Sequence, residues 1–181
     1  MLAVPVAPIV SGLATGSAAP DRLLHPTGEF AARFMIAALM ISPLRAAFPQ
    51  ARWLRWLAGR RRALGVAAFG YAALHTLIYL IDMATLRNVL AEFFALGIWT
   101  GWAAFAVIVP LAVTSNETSM RRLGASWPRL HRIVYAAAIL TLLHWVFVHH
   151  NLGAALAHFV PLALLEGWRL FRRARSGIAA G

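Results

Sequence analysis

The sequence predicts an all-α integral membrane protein: a helical bundle of five clear transmembrane helices preceded by a short or incomplete N-terminal helix. Hydrophobic residues make up 61% of the 181 residues, whereas a soluble domain contains about 45–50%. The excess is concentrated in blocks long enough to cross a hydrocarbon core of about 30 Å. All the basic residues are arginines, and most lie in short segments between these blocks. A single domain over residues 1–181 accounts for the whole length.

The N-terminal part of the chain predicts one weak helix and one strong span. Residues 1–19 are apolar but are interrupted by prolines and glycines, so we expect only a short or incomplete helix there. Residues 20–29 are polar and contain turn-forming residues, which predicts a turn. The first confident span covers residues 30–48. The next segment, residues 49–62, alternates arginine with tryptophan, a pattern typical of a segment at the lipid surface.

The rest of the chain predicts four further spans with short connections. They cover approximately residues 63–81, 94–113, 129–149 and 154–171. The connection at residues 82–93 begins with polar residues, and we expect it to start along the membrane interface. Pro110 lies inside the third of the five spans, where a kink is tolerated if neighbouring groups satisfy the freed carbonyl.

The arginines predict the orientation of the bundle. Six lie in residues 45–62, four in residues 114–132 and four in residues 169–175, whereas only Arg22, Arg33 and Arg87 lie on the other side. The positive-inside rule places the arginine-rich side in the cytoplasm. The formal net charge of +11 therefore reflects membrane topology, and we expect a lipid bilayer as the partner and no nucleic acid.

Histidines inside the apolar blocks predict a cofactor site. His75 and His144 lie in the outer halves of two spans that run in the same direction, so the two side chains share one depth. Ionisable residues inside a span are costly and usually functional. A neutral imidazole facing a bundle interior is also a standard axial ligand of haem iron. Two such helices can hold a haem between them; the alternative is a pair of core histidines bonded to backbone carbonyls.

A third histidine, His131, predicts a second and weaker haem site near the cytoplasmic face. It lies thirteen residues before His144, which is roughly 20 Å along a helix. On an ideal helix the two side chains point about 140° apart, so both can face one column of haems only if the helix is distorted or the ligands approach from different sides. Arg61 shares a helix face with His75 and lies at the depth of His131. It is a candidate contact for a haem propionate, or alternatively one more loop charge.

The absence of cysteine limits the chemistry of the cofactor. With no cysteine in the chain, a covalently attached haem and a thiolate-bound iron–sulfur cluster are excluded. Any haem is therefore of the b type and is held by histidine. There is also no dinucleotide-binding fingerprint, phosphate loop or pair of carboxylates. The sequence therefore predicts an electron conduit rather than a catalytic subunit.

Seven arginines predict a basic rim on the cytoplasmic face. The rim could attract an anionic electron donor, a flavin phosphate or an acidic reductase. The alternative is that these charges only fix topology and hold anionic lipid. The residues are Arg52, Arg55, Arg60, Arg61, Arg62, Arg121 and Arg122.

Three stretches of the sequence resemble a known family. They are HPTGEFAARFMIAALMISPL (25–44), RRALGVAAFGYAALHTLIYL (61–80) and PLAVTSNETSMRRLGASWPRLHRIVYAAAILTLLHW (110–145). They are similar to the MsrQ (YedZ) family, the haem-bearing membrane subunits of the MsrPQ methionine sulfoxide reductase system, in the ferric-reductase-like transmembrane superfamily. The resemblance covers roughly residues 20–175, and the family's haem histidines match His75, His131 and His144.

The resemblance implies a function that the residues alone do not specify. It implies six spans in a bacterial inner membrane, with b-type haem. Electrons would pass from a cytoplasmic flavin reductase, with flavin mononucleotide (FMN), or from quinol, to a periplasmic molybdenum-cofactor methionine sulfoxide reductase of the MsrP type. The outer segments at residues 20–29, 82–93 and 149–153 are too short for a catalytic domain, so the acceptor must be a separate protein. The alternatives are a ferric-reductase-like haem protein with another acceptor, or a membrane scaffold or transporter subunit without a redox cofactor.

Overall fold

The computed structural model describes residues 6–149 and 152–178, and within these ranges the chain is helical and contains no strand. Five helical segments are long and apolar enough to cross a membrane, which confirms the predicted all-α membrane bundle. In chain order the helices are α1 (Val6–Ala14), α2 (Pro20–Ala47), α3 (Arg52–Ala58), α4 (Arg61–Met83), α5 (Leu86–Glu92), α6 (Leu96–Val113), α7 (Glu117–Leu123), α8 (Ser126–His131), α9 (Val134–His149) and α10 (Leu152–Ile178). The five spans are α2, α4, α6, the consecutive α8 and α9, and α10.

The first helix is short. α1 has nine residues, and a helix of that length extends about 14 Å, less than half of a hydrocarbon core of about 30 Å. Residues 1–5 of the weak helix predicted at residues 1–19 lie outside the described residues, as do residues 150 and 151 of the outer segment at 149–153.

α2 begins at Pro20 and not at residue 30, so the turn predicted at residues 20–29 is wrong. Pro20 lies at the start of the helix. Backbone N–H groups there have no intrahelical acceptor, so a proline, which lacks the N–H, costs no hydrogen bond. Asp21 lies in the first turn, where a negative charge stabilises a helix N terminus. The Thr27 hydroxyl donates to the carbonyl of Leu23 at 2.7 Å. The polar, proline-containing sequence therefore marks the start of a long helix.

Two helix pairs form the body of the bundle. α2 packs along α4 and α6 packs along α9, while α10 packs against α2. Small buried residues such as Ala32, Ala68 and Ala137 lie in the core and allow the helix backbones to approach closely. α4 and α6 contact each other much less than they contact their own partners, and a cavity lies between the two pairs.

The short helix α3 has the character of an interfacial segment. Leu54 is fully buried, whereas Trp53 and Trp56 on the same helix are each 59% exposed. An amphipathic helix with exposed tryptophans and arginines suits the boundary between lipid headgroups and acyl chains. The arginine-rich end of the bundle is therefore also the end that carries this surface helix.

Candidate functional site

His75 on α4 and His144 on α9 face each other across the two helix pairs. Their ring centroids are 6.0 Å apart, with ring planes at 82°. Two imidazole nitrogens that each bind a metal ion at about 2 Å place their ring centroids roughly 6 Å apart. The structure therefore brings together the two histidines that the sequence places at one depth, at a spacing compatible with an ion between them.

The hydrogen bonds of the two rings determine which nitrogen can bind a metal. Nδ1 of His144 lies 2.7 Å from the Gly97 carbonyl oxygen, and Nδ1 of His75 lies 3.0 Å from the Leu24 carbonyl oxygen. Because a carbonyl only accepts, each Nδ1 carries the proton and each Nε2 carries the lone pair. Metal-binding histidines typically donate their other ring N–H in this way, which fixes the tautomer and the ring orientation.

A cavity that is partly open to its surroundings contains both histidines. The lining is mainly apolar, with contributions from both helix pairs, including Met35, Ala72, Ile98 and Phe105. The lining is therefore apolar enough for a flat organic cofactor between the imidazoles.

Two glycines make room for the imidazoles. A Cβ atom at Gly101 on α6 would lie 2.6 Å from Nδ1 of His144, and a Cβ atom at Gly28 on α2 would lie 3.2 Å from Nδ1 of His75. Gly97, whose carbonyl accepts from His144, lies one turn before Gly101. The G-x-x-x-G spacing of Gly97 and Gly101 is a known signal for close helix packing in membranes, and it could have identified this face from the sequence.

A buried hydroxyl group lies in the cavity wall. The Tyr79 hydroxyl is buried and has no hydrogen-bond partner among the described residues, although Tyr79 lines the cavity. The neighbouring hydroxyls of Thr76 and Thr141 donate to carbonyls of their own helices, those of Ala72 and Ala137. Because a buried unpaired hydroxyl costs free energy, Tyr79 marks a position where a ligand with an acceptor group fits.

His131 lies apart from this cavity. Its ring stacks on Trp127 with centroids 3.9 Å apart, and Nε2 lies 3.1 Å from the Thr114 hydroxyl. That hydroxyl donates to the Pro110 carbonyl at 2.7 Å, so Nε2 of His131 is the donor to Thr114. In this arrangement the ring does not offer Nε2 to a metal, in contrast to His75 and His144.

The helix is distorted between His131 and His144, at the junction of α8 and α9. The N–H groups of Arg132, Ile133, Tyr135 and Ala136 each bond the carbonyl three residues earlier. Such 3₁₀ bonding turns the chain by about 120° per residue instead of about 100°. Four such steps reduce the angle between the His131 and His144 side chains around the helix axis from the ideal value of about 140° to roughly 60°. Both imidazoles accordingly contact α6 or its C-cap residue, Thr114.

The rim arginines differ in how they are held. Arg61 donates to the Ser42 hydroxyl at 2.9 Å, Arg62 pairs with Glu117 at 3.8 Å, and Arg60 lies 3.6 Å above the Trp56 ring. Arg52, Arg55, Arg121 and Arg122 are exposed. Arg61 also lines a second cavity together with Ser42 and Arg45. Arg45 was not among the predicted rim residues.

Comparison with known proteins identifies the family. The family model described as "Ferric reductase like transmembrane component" matches residues 27–142. The protein named "Protein-methionine-sulfoxide reductase heme-binding subunit MsrQ" from Rhizobium meliloti (strain 1021) is 39% identical over 153 residues, which cover 82% of this chain and 68% of the relative. The chain belongs to the MsrQ family. The equally named proteins of Xanthomonas campestris pv. campestris (strain 8004) and Xanthomonas oryzae pv. oryzae (strain MAFF 311018) are 37% and 36% identical, with the same coverage.

The predicted resemblance to MsrQ is thereby confirmed, and the chain is a multi-pass membrane protein of this family. The ferric-reductase match at residues 27–142 includes Gly28, His75, Gly101 and His131, and it ends two residues before His144. No solved structure matches the chain.

Proposed function

We propose that this protein is a membrane electron carrier that holds b-type haem between His75 and His144. The observation that carries the proposal is the facing pair of imidazoles, each with Nδ1 bonded to a backbone carbonyl. Bound haem supplies reversible one-electron reduction of its iron. The two histidines would bind the iron through Nε2, while the Gly97 and Leu24 carbonyls keep the rings in the required tautomer.

The remaining residues of the site fit a haem rather than an isolated ion. The lining is apolar and lies between two helix pairs, which suits a flat macrocycle. Gly28 and Gly101 leave space for the imidazole rings of His75 and His144, which would approach the macrocycle from its two sides. Because the chain has no cysteine, the haem would be held without thioether bonds.

His131 is proposed as the ligand of a second haem on the arginine-rich side. Because its Nε2 donates to Thr114, haem binding there requires the ring to break this bond and change tautomer. Arg61 is the candidate propionate contact. We therefore expect the haem content to lie between one and two per chain, and His131→Ala to remove only the fraction above one. A pyridine haemochrome assay on wild type and variant measures this, and an unchanged haem content would remove His131 from the ligand set.

The arginine-rich face is proposed as the cytoplasmic donor side. The basic rim, extended by Arg45 and the cavity it shares with Arg61 and Ser42, would attract an anionic donor such as FMN or an acidic flavin reductase; quinol is the alternative donor. The relatives' name, "Protein-methionine-sulfoxide reductase heme-binding subunit MsrQ", supports a methionine sulfoxide reductase as acceptor, which we propose to be a periplasmic, MsrP-like molybdenum-cofactor enzyme. The chain would then lie in a bacterial inner membrane and serve the repair of oxidised proteins.

A ferric-reductase-like activity is the second candidate, and the description of the matching family model favours it. In that case the same haem would deliver electrons to an external ferric chelate. A scaffold or transporter subunit without a redox cofactor does not account for the paired imidazoles around an apolar cavity.

The proposal is tested by haem reoxidation in membranes. Reduced protein should reoxidise rapidly only when both an MsrP-type enzyme and a methionine sulfoxide substrate are added. Reduction by a soluble flavin donor should slow as salt rises, because the screening length falls to about 10 Å at 0.1 M. Reoxidation that is equally fast without the enzyme, or faster with ferric chelates, would favour the second candidate.

A further inference from the structure

We propose that the Tyr79 hydroxyl donates a hydrogen bond to a haem propionate and that the propionate edge of the haem points away from the arginine-rich face. This inference rests on the proposed haem site. Tyr79 lies four residues after His75 on α4, so the two side chains share one helix face, about 6 Å apart along the axis. α4 starts at Arg61, and Tyr79 is therefore farther than His75 from the arginine-rich end.

The Glu92 carboxylate is close enough to act electrostatically on Tyr79 but accepts no hydrogen bond from it, so the hydroxyl can donate to a ligand. Its oxygen is buried and without a partner among the described residues, and the cavity wall around it is mainly apolar. The edge of b-type haem carries methyl and vinyl groups, which accept no hydrogen bonds, and two propionates, which do. The Tyr79 ring packs edge-on against Trp102, with centroids 6.2 Å apart, and both residues line the cavity. Trp102 thus packs against the Tyr79 ring at the cavity wall but does not form a hydrogen bond with the Tyr79 hydroxyl.

The orientation has a consequence for electron transfer. A haem with its propionates toward Tyr79 presents its polar edge to the side opposite the arginine-rich face. That is the side on which we place the acceptor, so the polar edge would be the part of the cofactor nearest to the docking protein. Tyr79 is in this sense a positioning residue, acting on the orientation of the cofactor and not on its iron.

Tyr79→Phe tests the proposal because it removes only the oxygen. Protein loaded with b-type haem, or with the haem dimethyl ester that lacks propionate charge, is mixed with excess apomyoglobin, and the rate of haem loss is measured. Losing a hydrogen bond to a charged group should speed haem loss roughly tenfold or more, with little change for the ester. The haem-free variant should unfold at a higher temperature than haem-free wild type, because no buried hydroxyl remains unpaired.

Tyr71→Phe is the matched control. Tyr71 lies four residues before His75 on the same helix, is 2% exposed, and packs with its ring against Phe34 at a centroid distance of 5.4 Å. It does not line the histidine cavity, and we expect its variant to lose haem and ester at wild-type rates. Equal haem loss from Tyr79→Phe and wild type, or haem-specific loss from Tyr71→Phe, would overturn the inferred orientation. Neither result would contradict ligation by His75 and His144, which fails only if their own alanine variants keep the low-spin haem signal.

Discussion

We expect that replacing either His75 or His144 with alanine abolishes the low-spin absorption of the haem proposed to lie between α4 and α9. Each imidazole would bind the haem iron through Nε2, and its carbonyl partner would keep the ring in the tautomer that leaves Nε2 unprotonated. Alanine leaves one coordination position without a protein ligand, so the iron becomes high-spin or the haem is lost. Spectra of oxidised and reduced purified protein measure the change, and the effect should be nearly complete in either single variant.

A histidine outside the cavity provides the control for these two variants. The side chain of His25, near the start of α2, is 54% exposed and does not line the cavity. His25→Ala should keep the wild-type spectrum and haem content. If His75→Ala and His144→Ala also keep the low-spin signal, the assigned pair of ligands is wrong.

Gly101→Ala is expected to have the next largest effect, although it changes no ligand. The added methyl group would lie 2.6 Å from Nδ1 and 2.8 Å from Cε1 of His144, so the ring or helix α6 must move. Disturbing the groups that orient a metal-binding histidine typically costs roughly ten- to hundredfold in affinity. We expect a loss of haem affinity in that range, measured by titrating haem into the haem-free protein.

Gly65→Ala is the matched control for Gly101→Ala. Gly65 lies inside α4, and a Cβ atom there would meet nothing within 4 Å. Alanine is more favourable than glycine inside a helix by about 0.5–1 kcal/mol, so this variant should be slightly more stable and should bind haem as wild type does. If Gly101→Ala bound haem with wild-type affinity, close packing of α6 on His144 would not matter for the site.

The sequence was sufficient for the fold class and for placing His75 and His144 at one depth, because both depend on long-range patterns. Block length and arginine placement predict the spans and their directions, and these place the two histidines at one depth. The N terminus of α2 was missed because Pro20, Asp21 and Pro26 have the composition of a turn. Their position at the start of a long apolar block is what allows them to begin a helix.

The finer geometry of the site depends on contacts that no single segment encodes. The 3₁₀ bonding at Arg132 and Ile133 occurs where the sequence contains neither proline nor glycine, and it changes the relative directions of His131 and His144. The steric role of Gly28 becomes visible only when α2 lies against His75. Gly97 and Gly101 carry a recognisable spacing, but their contact with His144 depends on the packing of α6 along α9.

The visible absorption spectrum of the purified protein is the most direct test of the central claim that the two helix pairs hold a haem. Protein purified in mild detergent, with helicity verified by circular dichroism, is measured before and after reduction with dithionite. We predict a Soret band that shifts on reduction together with the sharp visible bands of a low-spin haem with two histidine ligands. A helical, correctly assembled preparation that remains colourless after haem is added would contradict the claim.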